Sequence, residues 1–160
     1  MSHGDVDLLY RILVGFGLAF AVGFERELRG SPAGDRTFSL IGTGAAVVAA
    51  VAGQMSPQAL AGIVTGVGFI GGGLILKGRD DTVHGVTTAA TVFSVSGIGM
   101  AAGLGHLALS ACATALTLVT LELRYVRGLN IFDAGRYSER FQSDEDRPLI
   151  SRAPTPPPRS

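Results

Sequence analysis

Apolar residues run along this chain in blocks too long for the helices of a soluble core. Residues 37 to 76 and 85 to 121 contain no Asp, Glu, Lys or Arg. Each block is about twice the roughly 20 residues that a bilayer-spanning helix needs. Each is also broken once near its middle, by Gln54-Met55-Ser56-Pro57 and by Gly103-Leu104-Gly105-His106, the composition of short turns. A third apolar segment covers residues 8 to 24. The pattern predicts five spans near residues 8 to 25, 38 to 53, 59 to 76, 86 to 102 and 107 to 123, an all-α polytopic membrane bundle.

Charge then gives the bundle a direction. Arg26, Arg29 and Arg36 border the first loop, Lys77 and Arg79 lie in the third, and Arg124, Arg127, Arg136, Arg140, Arg147, Arg152 and Arg159 follow the last span. The second and fourth loops carry no basic residue. Arg11 remains, near the start of span one, where a long side chain can carry its head group to the interface. Because cytoplasmic loops hold the Lys/Arg excess, the N-terminus is expected outside, with loops one and three and the tail inside. An odd number of spans is needed for that alternation.

Composition hides this organisation. The net charge is zero and the hydrophobic fraction 47%, because a polar tail dilutes the average. Residues 1–127 form the expected membrane domain and 128–160 a cytoplasmic, proline-rich, disordered tail, with Ala153-Pro154-Thr155-Pro156-Pro157-Pro158 extended as polyproline. Ile131, Phe132, Tyr137 and Phe141 could instead rest on the membrane surface. Ala19-Phe20-Ala21 resembles a signal-peptide cleavage site, but Asp5 and Asp7 stand where a signal carries basic residues. Cys112, the only cysteine, is expected to be a small core residue in span five.

Small residues at helix-face spacing suggest how the spans meet: Gly15, Ala19 and Gly23 in the first, Gly62 and Gly66 in the third, Gly99 and Gly103 in the fourth. Lipid offers no hydrophobic drive for helix association, so backbones that can approach closely are what hold spans together. Spans one, three and four are therefore the expected interior, with span five facing lipid. Gly71-Gly72-Gly73 signals either close contact or a break in span three. Five spans bury few faces, which leaves room for homo-oligomers.

Gly66-Val67-Gly68-Phe69-Ile70-Gly71 matches the dinucleotide-binding glycine pattern by letter, but that fingerprint needs a preceding strand and a later acid, and here the flanks are one apolar span. No phosphate loop, zinc pattern or catalytic triad is visible, no cofactor or nucleic-acid partner is expected, and the protein reads as a non-enzyme. More telling is Glu25-Arg26-Glu27-Leu28-Arg29 at the end of span one. Glu25 and Arg29 are one turn apart and can pair. The cluster is either an interfacial anchor or, since acids at membrane depth are costly, the mark of a pathway or partner. Asp35-Arg36-Thr37 opens span two from the same side. Thr87, Thr88 and Thr91 open span four there too, where free N–H groups of a helix start favour a carboxylate. Glu25 or Asp35 is thus expected to dock on the start of span four; alternatively the threonines only cap and pack.

Taken together, Gly23-Phe24-Glu25-Arg26-Glu27, Arg36-Thr37, the glycine run from Gly66 to Gly73, Val83-His84-Gly85-Val86-Thr87-Thr88-Ala89-Ala90-Thr91, Gly97-Ile98-Gly99 and Gly103-Leu104-Gly105 resemble the MgtC/SapB membrane proteins of bacteria. Asp35 departs from that family, which commonly has an apolar residue before Arg-Thr. The resemblance implies a bacterial inner-membrane protein linked with magnesium homeostasis and survival in host cells. It also implies, from some members, action on the membrane sector of the F-type ATP synthase. The better-known virulence members carry a folded C-terminal domain where this chain has its proline-rich tail.

Two functions follow as expectations. One is a non-enzymatic regulator that sits in membrane lipid and binds another membrane protein through small-residue helix faces. The other is a magnesium transporter or channel, for which oxygen ligands inside the membrane are needed; acids in mid-span are missing from the sequence, which favours the regulator.

Overall fold

The computed structural model of the protein describes residues 3–53, 55–77 and 83–122. Five helices follow one another: α1 (His3–Leu28), α2 (Asp35–Ala52), α3 (Pro57–Leu74), α4 (Val86–Gly103) and α5 (Leu107–Glu122). Leu76–Lys77 (β1) and Val83–His84 (β2) pair antiparallel between α3 and α4, with Leu76 opposite His84. Among the described residues, four helices are long and apolar enough to cross a membrane. The 16 described residues of α5 give a rise of about 24 Å at 1.5 Å per residue. The expected tail from residue 128, and the basic residues from Arg124 onward, lie outside the described residues.

Local chemistry sets the boundaries. Gly30, at φ 67°, ends α1 in the left-handed conformation that costs glycine least. Ser31 N–H then bonds the Arg26 carbonyl and Gly30 N–H that of Glu27, each at 3.0 Å, the paired closure of a Schellman motif. Gly105 (φ 89°) repeats the motif after α4, with His106 N–H on Ala101 and Gly105 N–H on Ala102. Pro57 begins α3 at a position where no N–H is needed.

The helices alternate in direction. Gly15 of α1 lies against Ala46 of α2, and Gly23 against Asp35 and Phe38, so the two run antiparallel. Gly99 rests on the backbone of Gly42, and Gly103 on Ala46 and Ala49, so α4 runs parallel to α2. In each case a Cβ on the glycine would collide: 2.9 Å from the Ala46 Cβ at Gly15, and 2.7 Å from the Asp35 Cα at Gly23. Such approach brings many atom pairs to van der Waals distance, each worth about 0.1–0.2 kcal/mol. Ala19, Val22, Phe38, Val92, Val95 and Ile98 fill the space between α1, α2 and α4. Along α5, the Ser110 hydroxyl donates to the Ile98 carbonyl at 2.8 Å.

Three expectations about packing are corrected. The tight interior is α1, α2 and α4, not spans one, three and four. A Cβ on Gly62 or Gly66 would meet nothing within 4 Å, and Gly71 makes only ordinary contact with Ala89. Helix α3 lies on the outside of α4 and turns most of its glycines away from the chain, although it runs unbroken through Gly71-Gly72-Gly73. Cys112 is exposed on α5 rather than buried. Spacing reports that a helix has a smooth face; which helix fills it depends on the whole bundle.

Candidate functional site

The C-terminal end of α1, the N-terminal end of α2, the C-terminal end of α3 and the start of α4 meet at one end of the bundle, as their alternating directions require. The charged motifs therefore share that end. Glu25 is 8% exposed, and Gly23, two residues earlier, lets the Asp35 backbone approach α1. Its carboxylate oxygens lie 3.5 Å from Arg26 Nη1 and 3.5 Å from Arg29 Nε. Among the described residues, neither oxygen has a hydrogen-bond partner, and Arg26 Nε has none. Glu25 is the buried charge of the three, held by proximity to a half-buried Arg26 and an exposed Arg29, and its attraction to them is offset in part by lost hydration. Removing one member strands the others, so the cluster holds the local geometry together more firmly than its net energy suggests.

Glu27, by contrast, is exposed and folds over Gly34. With Asp35, Arg36 and Thr37 it lines a polar pocket of about 430 Å³ at the start of α2. Asp35 Oδ1 accepts the Arg36 backbone N–H at 2.6 Å, and a carboxylate in the first turn complements the helix dipole. One turn deeper, Ser39 is buried, and its hydroxyl has no partner among the described residues. Thr43, Thr65, Thr91 and Ser96 instead donate to carbonyls of their own helices.

The start of α4 is engaged differently from the expectation. Among the described residues, neither Glu25 nor Asp35 bonds to it; their contacts go to Arg26, Arg29 and the Arg36 N–H. The Schellman turn at Gly30 instead delivers Ser31, whose hydroxyl lies 3.1 Å from that of Thr88. Thr88 and Thr91 are both 4% exposed. Thr91 donates to the Thr87 carbonyl at 2.8 Å, and both line a cavity of about 230 Å³ with Ser94, Thr117 and Thr120 from the α4 and α5 faces. The structure thus brings Glu25, Arg26 and Arg29 together, sets Glu27, Asp35, Arg36 and Thr37 around a second pocket, and turns Thr87 and Thr91 toward α5.

Ser31 and Ser39 escaped the sequence reading. Ser31 was open to discovery, since Arg29-Gly30-Ser31 after an apolar span is a C-cap signal that fixes where the next residue points. Ser39 carried no such signal. Its significance comes from a missing partner, which no spacing rule records.

At the opposite end Arg11 pairs with Asp7 and covers the turn at Gly105. His84 and His106 lie at different ends of α4. No group of three or more His, Cys, Asp or Glu is placed to hold a metal ion among the described residues.

Helices of this length and apolarity, with charges gathered at their ends, define a multi-pass helical protein of a bacterial membrane. A model of the MgtC family matches residues 12–127, and the chain belongs to that family. It is 37% identical over 114 residues to Protein MgtC of Salmonella typhimurium, covering 69% of this chain and 49% of that one. It is 35% identical over 130 residues to the "Putative magnesium transporter YhiD" of Escherichia coli K12, covering 73% and 60%. It is 30% identical over 131 residues to Protein SapB of Bacillus subtilis, covering 74% and 56%. The chain thus spans about half the length of these relatives. No solved structure matches it.

Proposed function

We propose that this chain is a non-enzymatic membrane regulator that acts by binding another membrane protein, with a link to magnesium homeostasis. One observation carries the reading. Helix α3 turns Gly62, Gly66, Gly68, Gly72 and Gly73 to open space, where a Cβ would meet nothing within 4 Å. Beside it runs an apolar groove of about 480 Å³ between α2 and α3, with Gly44, Ala45 and Gly66 among its walls. A glycine-rich face at membrane depth, here with the exposed ring of Phe69 beside Gly62 and Gly66, is what a second transmembrane helix packs against. The membrane sector of the F-type ATP synthase is the partner the family resemblance suggests, and a second copy of the chain is the other.

Replacing Gly66 by Leu should abolish co-purification of the partner from membranes while leaving the bundle folded. Unchanged co-purification removes the proposal.

The name of the Escherichia coli relative, together with the mainly apolar cavity between α4 and α5 that has Thr87, Thr91, Ser94, Thr117 and Thr120 among its walls, supports a second reading as a magnesium permease. Magnesium takes oxygen ligands and keeps several of its waters. Uptake into proteoliposomes above an empty-vesicle control, abolished by Glu25→Ala, favours the permease. Uptake at the control level favours the regulator.

A further inference from the structure

Beside the cluster around Glu25, two cavities share a boundary. The polar pocket of Glu27, Gly34, Asp35, Arg36 and Thr37 has a volume of about 430 Å³. An apolar groove of about 390 Å³, walled by Phe16, Phe20 and Leu40, continues from Asp35 and Arg36 down the seam of α1 and α2. Phe16 and Phe20 stack at 6.2 Å between ring centres, which gives the groove a continuous aromatic wall. Ser39 lines it one turn below Asp35, 6% exposed and with its hydroxyl unpartnered. A buried hydroxyl without a partner costs free energy unless something supplies one.

We propose that this bipartite site binds a phospholipid whose headgroup carries a primary ammonium beside its phosphate, of the phosphatidylethanolamine type. An acyl chain lies along Phe16, Phe20 and Leu40. The phosphate pairs with the Arg36 guanidinium, the side chain best suited to it. The ammonium lies between Asp35 and Glu27. Rotation of the Ser39 hydroxyl gives it the ester carbonyl as acceptor.

The charges select the headgroup. Two carboxylates and one guanidinium line the polar pocket, a set that disfavours a purely anionic lipid and complements a zwitterion. A trimethylated ammonium keeps its charge but has no N–H to donate, so choline lipids lose the hydrogen bonds to Asp35 and Glu27. Asp35, the departure from the usual apolar residue before Arg-Thr, is then a headgroup ligand.

The test is native mass spectrometry of the full chain released from nanodiscs with equal phosphatidylethanolamine, phosphatidylcholine and phosphatidylglycerol. Retained ethanolamine lipid should exceed each competitor about tenfold, the ratio expected when charge-assisted hydrogen bonds distinguish otherwise similar ligands. Asp35→Asn should bring the ethanolamine-to-choline ratio near one, and Arg36→Gln should lower retention of all three. Because the readout is a ratio on folded protein, loss of stability does not imitate it; if Asp35→Asn fails to fold, the exposed Glu27→Gln should cut the ratio severalfold. Equal retention of ethanolamine and choline lipids, a ratio unchanged in the folded acid variants, or a photocrosslink from Phe20 to a polypeptide in native membranes instead of lipid overturns the proposal.

Discussion

Helices α2 and α3 have the same length, 18 residues, and both are rich in glycine and alanine, yet they occupy opposite situations. Gly42 of α2 is jammed between Ala19 and the seam with Gly99, whereas Gly62, Gly66, Gly68, Gly72 and Gly73 of α3 face nothing in the chain. In α2 the missing Cβ is a structural necessity. In α3 it is spare capacity. The contrast teaches that a small-residue face at membrane depth can serve either the fold or an association, and that only the position of its neighbours distinguishes them.

Substitution at the tightest crossing should separate the two helices most sharply. Gly99→Leu drives a side chain into the Gly42 backbone, which cannot rotate away as a flexible side chain can. A loss of about 3 kcal/mol or more is expected, at the upper end of overpacking, read as a lowered midpoint of denaturant unfolding in detergent. If Gly99→Leu left that midpoint unchanged, the α2–α4 seam would not be the core.

Next in size is the hinge where α3 hands the chain to α4. Gly85 has φ 87° and its missing Cβ would strike the Leu74 carbonyl, so Gly85→Ala should cost about 2 kcal/mol, combining left-handed strain with the clash. The same unfolding curve reports it, and a change below the measurement error argues that the turn can rearrange.

Charges extend the comparison. Glu25→Gln removes the buried countercharge of Arg26 and Arg29 and should cost about 1–2 kcal/mol, whereas exposed Glu27→Gln should stay within about 0.5 kcal/mol. Equal effects from the two would mean that the Glu25 cluster is only an interfacial anchor. Smallest of all on stability is Gly62→Leu. It should leave the unfolding midpoint within about 0.5 kcal/mol while blocking whatever packs on α3, and a large loss of stability there would erase the distinction drawn between the helices.

Much of the architecture was legible beforehand. Charge-free blocks and their single interruptions placed five helices within a few residues of α1 to α5, because a span must be apolar for its whole length and each turn must escape it. That Gly15, Ala19, Gly23, Gly99 and Gly103 lie at helix contacts follows from the same spacing that wrongly enlisted Gly62 and Gly66. Spacing along one helix carries no information about the rotation of another. The gathering of Glu25, Asp35 and Thr88 at one end could be read from alternating direction alone. The contact between Ser31 and Thr88 could not, since it depends on the left-handed turn at Gly30 and on the approach of two segments more than fifty residues apart. The β1–β2 ribbon was missed for a simpler cause: two residues per strand leave no periodicity to detect.

The order of the chain does not match the order of the core. Helix α4 completes the trio with α1 and α2, but it leaves the ribosome only after all of α3. Synthesis thus completes α1 and α2 before the helix whose glycines pack on Gly42 and Ala46. An α1–α2 hairpin made by itself is therefore expected to present an open surface at Gly42 and Ala46 until Gly99 and Gly103 arrive to cover it.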